Sequence, residues 1–229
     1  MNTKKDTIGT ALTALTCVAM LVSLYMAFLY APREATMGDV QRIFYFHVPS
    51  AWLAFFAFFL VFVFSFAYLL RGGRRWDTLA AASAEIGVLF CTLVLVTGPI
   101  WARPVWGAWW TWDTRLTTTL VLWLIYVAYL MVRSFASDES RAARFGAVIG
   151  IAGFLDVPIV ALAIQLWRTQ HPGPAIFTGG LEPRMVLALV VCIVAFTFLF
   201  LYLAAFVANL RDMKRRVRDL EQTRDLEKE

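Results

Sequence analysis

Charged residues are scarce in this chain. They make up 16% of its 229 residues, whereas 60% of the residues are hydrophobic and the mean hydropathy is +0.68. A soluble domain of this length needs a larger polar surface, so the composition excludes that class and indicates an integral membrane protein. The net charge of +5 is spread along the chain, because the C-terminal tail, 209–229, carries six Asp or Glu beside its seven Lys or Arg, and it gives no argument for binding nucleic acid.

Cysteine is also rare. Cys17, Cys91 and Cys192 each lie within an apolar stretch, and no two of them have CxxC spacing. Buried thiols of this kind behave as small hydrophobes, and a structural zinc site needs four suitable ligands. The sequence also contains no Walker-type phosphate loop, so we expect neither a zinc site nor ATP hydrolysis by this chain.

Long apolar runs dominate the rest of the sequence. They predict an all-α bundle of six transmembrane helices at roughly 7–30, 48–70, 78–100, 116–132, 145–167 and 185–208. The first run is longer than the apolar core of a signal peptide, so we expect it to remain as a helix. We predict one domain, 1–208, followed by a charged cytoplasmic tail, 209–229, for which a solvated or membrane-skimming helix is favoured over a partner-binding coil.

The distribution of Lys and Arg predicts the orientation. The two termini and the connections 71–77 and 133–144 carry 15 of these 21 residues, whereas 31–47, 101–115 and 168–184 carry 6. The side of the membrane whose loops carry more Lys and Arg is normally the cytoplasmic side. We therefore predict a protein of the cell inner membrane with both termini in the cytoplasm. The three loops with fewer Lys and Arg are predicted to face the periplasm.

Tryptophan is concentrated in one of these loops, where five of the nine tryptophans lie between positions 101 and 112. An aromatic belt at the membrane interface explains one or two tryptophans per loop end, so five beside Asp113 and Arg115 favour a ligand platform. Pro99 and Pro104 are expected to end the third helix before this loop. In a short helix lying on the membrane, Trp106, Trp109 and Trp110 share one face.

The only two histidines, His47 and His171, fall in predicted loops on the same side as the tryptophans. Neutral imidazole is a standard axial ligand of haem iron, and indoles stack on porphyrin faces. We therefore predict transiently bound haem b with its iron ligated by both histidines. Arginines neutralise haem propionates in bidentate geometry, and the candidates are Arg42 and Arg115, then Arg103 and Arg184. The Pro-Gly-Pro segment after His171 predicts that this ligand is released first.

Three segments carry a resemblance to a known family. WGAWWTWDTRLT, 106–117, resembles the WWD signature of membrane haem-handling proteins in cytochrome c maturation. RIFYFHVPSAW, 42–52, and LDVPIVALAIQLWRTQHPG, 155–173, resemble the two histidine segments of the haem exporter protein C family. The chain is similar to that family over nearly its whole length.

The resemblance implies a protein that is not an enzyme. It implies haem binding at the periplasmic membrane face and delivery to a periplasmic haem chaperone, together with an ABC-type ATPase, a permease and a small single-span subunit. It assigns His47 and His171 as axial ligands, and it assigns the platform and chaperone contact to Trp106, Trp109, Trp110, Trp112 and Asp113.

Other functions remain open at this point. They are a stand-alone cytochrome c synthase of the same superfamily, a haem-transporting permease and an electron-transfer subunit of the cytochrome b type. The stand-alone synthase has more spans and histidines than this chain, and a cytochrome b type subunit needs paired histidines within its spans. Glu85 and Asp156 lie inside predicted spans, where a functional and a structural role are equally compatible with the sequence.

Overall fold

The computed structural model describes residues 3–136, 138–167, 169, 171 and 180–226, and its regular elements are helices. Six helical stretches in this part of the chain are long and apolar enough to cross a membrane: Thr7–Tyr30, Asp39–Arg71, Arg74–Trp106, Thr114–Phe135, Glu139–Leu166 and Pro183–Asp225. A helix makes its backbone hydrogen bonds internally, which a membrane span requires because lipid offers no partners for them. The prediction of an all-α protein with six spans is confirmed.

Seven α-helices and two short turns build these spans. The helices are α1 (Thr3–Tyr25), α2 (Phe44–Arg71), α3 (Arg74–Trp106), α4 (Thr114–Phe135), α5 (Glu139–Phe154), α6 (Asp156–Leu166) and α7 (Pro183–Leu226). A π-helical turn, Met26–Tyr30, extends α1, and a 3₁₀ turn, Asp39–Ile43, precedes α2. The fifth span is divided, because α5 ends at Phe154 and α6 begins at Asp156.

The core lies around α2, which packs against α3, α5 and α7. The rings of Phe58 and Tyr126 stack there, with centroids 3.8 Å apart. A Cβ atom on Gly87 would lie 2.5 Å from the Phe58 ring, and one on Gly150 would lie 2.8 Å from Val61. These glycines let helices approach closely, which is how membrane helices gain packing energy.

The third span differs from the sequence prediction. α3 does not end at Pro99 or Pro104 but continues through both to Trp106, because neighbouring helices in a bundle compensate for the backbone groups that proline leaves free. Gly107 ends the helix in the left-handed conformation, with φ of 77°. The chain from 108 to 113 is irregular, so the expected short helix carrying Trp109 and Trp110 is not formed.

The prediction that His47 lies in a loop is also wrong. His47 is the fourth residue of α2, which begins at Phe44 directly after the 3₁₀ turn. Phe44 and Tyr45 are buried in the bundle, so packing extends the helix beyond the point that proline at position 49 suggests. His47 is therefore carried by a rigid transmembrane helix.

The charged C-terminal segment is a continuation of α7. Arg215 pairs with Asp77 at 2.5 Å, and Asp77 also pairs with Arg133 at 2.6 Å. Arg211 pairs with Glu85, and Arg218 pairs with Glu139 of α5. These ion pairs hold one face of the segment against the bundle. We call the end of the bundle that contains these ion pairs the tail end. The opposite end, which contains His47 and Trp106, is called the histidine end.

Candidate functional site

The two histidines meet at the histidine end of the bundle. Their ring centroids are 6.3 Å apart, and the ring planes are inclined by 32°. His47 is buried, with 6% of its surface exposed, and His171 is half-buried. Two imidazoles bonded to one metal ion, at about 2 Å per metal–nitrogen bond, have centroids about 6 Å apart. The spacing of the two rings is therefore that of a pair able to ligate a single metal centre.

His47 is held against the last turns of α3. Its Nδ1 lies 2.8 Å from the hydroxyl of Thr97, and its ring centroid lies 6.1 Å from that of Trp101, in an edge-to-face arrangement. Thr97 also lies 2.6 Å from the carbonyl oxygen of Leu93, to which it donates its hydroxyl proton. Sequence reasoning missed Thr97, because no spacing pattern connects it with His47.

His171 is held through a second threonine. Its backbone N–H donates to the hydroxyl of Thr169 at 3.1 Å, and that hydroxyl donates to Asp113 Oδ1 at 3.0 Å. Asp113 also caps α4 by accepting from the backbone N–H groups of Arg115 and Leu116. The segment that carries His171 is thus tied to the start of α4.

The five tryptophans separate into two groups. Trp101 is 7% exposed and lies beside Trp106, with ring centroids 6.3 Å apart. Trp110 and Trp112 form an edge-to-face pair with centroids 5.7 Å apart, and Trp109 and Trp112 are exposed by 59% and 76%. Trp101 of the first group lies against His47, whereas the second group forms an aromatic surface at the rim of the bundle.

A shallow, open apolar depression, which neither histidine lines, lies beside Trp110 and Trp112, between α3 and α4. It has a volume of about 330 Å³ and is lined by Leu95, Trp110, Trp112 and Leu120. The indole N–H groups of Trp101 and Trp110 are buried and have no hydrogen-bond acceptor among the described residues. The histidine end therefore offers apolar walls together with unused donors.

The four candidate arginines differ in their surroundings. Arg42 donates to the carbonyl oxygen of Ala27 at 2.6 Å, which ties the π-helical turn after α1 to the 3₁₀ turn, and it pairs with Asp39 within the 3₁₀ turn at 3.2 Å. Arg103 donates to the carbonyl of Gly107. These two guanidinium groups stabilise the local chain.

The other two arginines lie on α4 and α7. Arg184 donates to the carbonyl oxygen of Tyr30 at 3.0 Å and lies over the Tyr30 ring. Arg115 is half-buried in the first turn of α4, within electrostatic range of His47. Arg115 is thus placed to contribute positive charge near the imidazoles.

The Pro-Gly-Pro segment, 172–174, lies outside the described residues. Within the described part of the chain, no three His, Cys, Asp or Glu side chains cluster as metal ligands.

Comparison with known proteins identifies the family. The model of the family described as Heme exporter protein C matches residues 2–223. The chain belongs to the heme exporter protein C family. It is 36% identical to Heme exporter protein C of Bradyrhizobium diazoefficiens, over 92% of this chain and 81% of the relative. It is 32% identical to the Escherichia coli K12 protein of the same name, over 73% of this chain and 69% of the relative.

A more distant relative comes from a plant. It is a ccmC-like mitochondrial protein of Marchantia polymorpha whose name refers to cytochrome c biosynthesis. The identity is 28%, over 84% of this chain and 82% of the relative. The family indicated by the tryptophan and histidine segments is confirmed.

Proposed function

We propose that this protein binds haem at the periplasmic face of the inner membrane and delivers it to a periplasmic haem chaperone for cytochrome c maturation. The observation that carries the proposal is the pair of imidazoles, His47 and His171, at a centroid separation of 6.3 Å. Neutral imidazoles on opposite sides of one iron ion are a standard form of haem ligation. The names of the relatives, which refer to heme export and cytochrome c biosynthesis, support the same assignment.

The surroundings of the pair fit an apolar macrocycle with acidic side groups. The shallow depression at Trp110 and Trp112, at the same end of the bundle, offers an apolar and aromatic surface on which a porphyrin edge packs favourably. The buried N–H groups of Trp101 and Trp110 are donors that a propionate can use. Arg115 adds positive charge on the same side. These features support haem b as the bound molecule.

The two ligands are held with different rigidity, which suggests how haem leaves. His47 is part of α2 and is buried, so its displacement requires the helix to move. His171 lies outside the helices, and hydrogen bonds through Thr169 tie its segment to Asp113. Breaking the hydrogen bonds through Thr169 loosens the segment that carries His171 without requiring a helix to move. We propose that His171 dissociates first when the chaperone takes the haem, and that the exposed Trp109 and Trp112 contact the chaperone.

The orientation and partners form part of the same proposal. The excess of Lys and Arg at the tail end supports a cytoplasmic location for that end and a periplasmic location for the histidine end. The family resemblance implies an ABC-type ATPase and its permease as partners, and we assign to them any step that needs ATP, because the chain has no phosphate-binding loop. A small single-span subunit completes the proposed complex.

The proposal is tested by purifying the protein with haem in detergent and recording its visible spectrum. We expect a six-coordinate, low-spin haem that becomes five-coordinate or is lost in His47→Ala and in His171→Ala. Trp52→Ala is the matched control, because Trp52 lies on α2 but is 55% exposed. If both histidine variants retain the parent spectrum, the proposed ligation is wrong.

Transfer is tested separately with the purified chaperone. Trp109→Ala is expected to load the chaperone about 2- to 10-fold less well while binding haem as the parent does, because a lost aromatic contact is worth about 0.5–1.5 kcal/mol. Its helices should insert normally. Formation of holocytochrome by this chain alone, supplied with haem and apocytochrome, would instead indicate a cytochrome c synthase.

A further inference from the structure

The hydrogen bond between His47 and Thr97 determines which imidazole nitrogen carries the proton. A threonine hydroxyl has one hydrogen to donate and lone pairs with which to accept. The Thr97 oxygen lies 2.6 Å from the Leu93 carbonyl oxygen, which is a contact that two oxygens make only with a hydrogen between them. The Thr97 hydroxyl proton is therefore donated to the carbonyl oxygen of Leu93.

It follows that the hydroxyl of Thr97 accepts from His47. The Nδ1 of His47 lies 2.8 Å from this oxygen and must supply the hydrogen. A neutral imidazole protonated at Nδ1 has its lone pair at Nε2. The contact thus selects one tautomer and leaves Nε2 as the nitrogen able to bind a metal.

We infer that Thr97 is a positioning residue that holds His47 in the tautomer and ring orientation required for metal ligation through Nε2. The inference rests on the proposed function, since it assigns Thr97 a role in haem binding. Metal-ligating histidines generally donate their second ring N–H to an oxygen, which fixes the ring and raises the basicity of the ligating nitrogen. Thr97 supplies that oxygen from α3, while His47 belongs to α2. The α2–α3 packing thereby becomes part of the haem site.

The neighbouring Thr92 provides a matched control on the same helix. Its hydroxyl donates to the Val88 carbonyl at 2.7 Å and accepts from the indole N–H of Trp123 at 2.8 Å. Thr92 therefore has the same kind of hydrogen bonding as Thr97, but its partner is not a histidine. Thr92→Val and Thr97→Val remove equivalent groups from α3, so a difference between them reports on His47.

The first measurement uses the haem-free, full-length protein in detergent, labelled with ¹⁵N at histidine. Long-range proton–nitrogen correlation spectra distinguish protonated from unprotonated ring nitrogens, and His171→Ala assigns the signals, because the chain has only two histidines. We expect His47 to show the Nδ1–H tautomer alone in the parent, in Thr97→Ser and in Thr92→Val. In Thr97→Val we expect loss of this single tautomer and signals from both forms.

The second measurement is a haem titration of the same variants. Removing the hydrogen-bond partner of a ligating histidine typically lowers metal affinity by about 10- to 100-fold, and we expect a loss of that size in Thr97→Val. Thr97→Ser and Thr92→Val should bind haem as the parent does. The Nε2–H tautomer in the parent would overturn the inference, and so would unchanged affinity in Thr97→Val or an equal loss in Thr92→Val. Because the tautomer is read without haem, this failure is distinguishable from failure of the proposed function, in which the parent binds no haem.

Discussion

Replacing Thr169 by valine should loosen His171 while leaving the bundle intact. The change keeps the shape of the side chain but removes the hydroxyl that joins the His171 N–H to Asp113 Oδ1. Asp113 still caps α4, since its bonds to the N–H groups of Arg115 and Leu116 do not involve Thr169. The variant therefore removes the tether, which is the pair of hydrogen bonds that joins His171 to Asp113 through Thr169, and leaves the helix cap in place.

The size of the effect follows from the type of bond lost. A hydrogen bond to a charged group contributes about 1.5–3 kcal/mol, which corresponds to about 10- to 100-fold in an equilibrium constant. If the tether holds His171 in its ligating position, haem affinity should fall by that factor in Thr169→Val. Asp113→Ala should show the same loss and should also lower the free energy of unfolding by about 1 kcal/mol, because it removes the helix cap.

The assay is a haem titration followed by visible spectroscopy, with thermal unfolding in detergent as the second readout. Thr111→Val is the matched control, because Thr111 donates to the other oxygen of the Asp113 carboxylate at 2.9 Å. In Asp113→Asn the amide oxygen can still cap α4 and accept from Thr169, but the bond to Thr169 is no longer charge-assisted, so we expect normal stability and a loss of haem affinity smaller than in Thr169→Val. Parent-like haem binding by Thr169→Val, or an equal loss in Thr111→Val, would refute the reasoning.

Two further predictions concern the stability of the bundle. Asp77→Asn should lower the free energy of unfolding by about 3–5 kcal/mol, because it leaves two largely buried guanidinium groups without their carboxylate. The control Asp219→Asn should change the free energy of unfolding by at most about 1 kcal/mol, because Asp219 belongs to an exposed ion pair. Gly87→Ala should destabilise by about 1–3 kcal/mol, since the added methyl group meets a phenyl ring of α2, whereas Gly9→Ala meets no atom within 4 Å. Thermal unfolding in detergent measures both pairs. A control that loses as much stability as its partner would contradict the structural explanation.

The sequence predicted the six spans because hydropathy depends on the number of apolar residues, which is local information. Helix ends were less predictable. Pro99 and Pro104 suggested an end that does not exist, because in a packed membrane bundle the neighbouring helices decide whether proline ends a helix. Similarly, His47 was expected in a loop, but the burial of Phe44 and Tyr45 extends α2 past it.

The candidate site was predicted only in part. The rarity of histidine and the density of tryptophan pointed to His47 and His171, and the structure brings their rings together. The residues that hold the two imidazoles, Thr97 and Thr169, could not be predicted. Threonine is common at helix ends and in loops, so its hydrogen bonds to distant residues become visible only after the helices are packed.

The central claim is that His47 and His171 hold one iron ion between them. Electron–nuclear double resonance on the ferric haem complex, with ¹⁵N introduced only at histidine, tests it most directly, because the chain has just two histidines to label. The account predicts strong couplings from two labelled imidazole nitrogens in the parent and from one in His171→Ala. A parent protein that shows coupling to one labelled nitrogen, or to none, would contradict it.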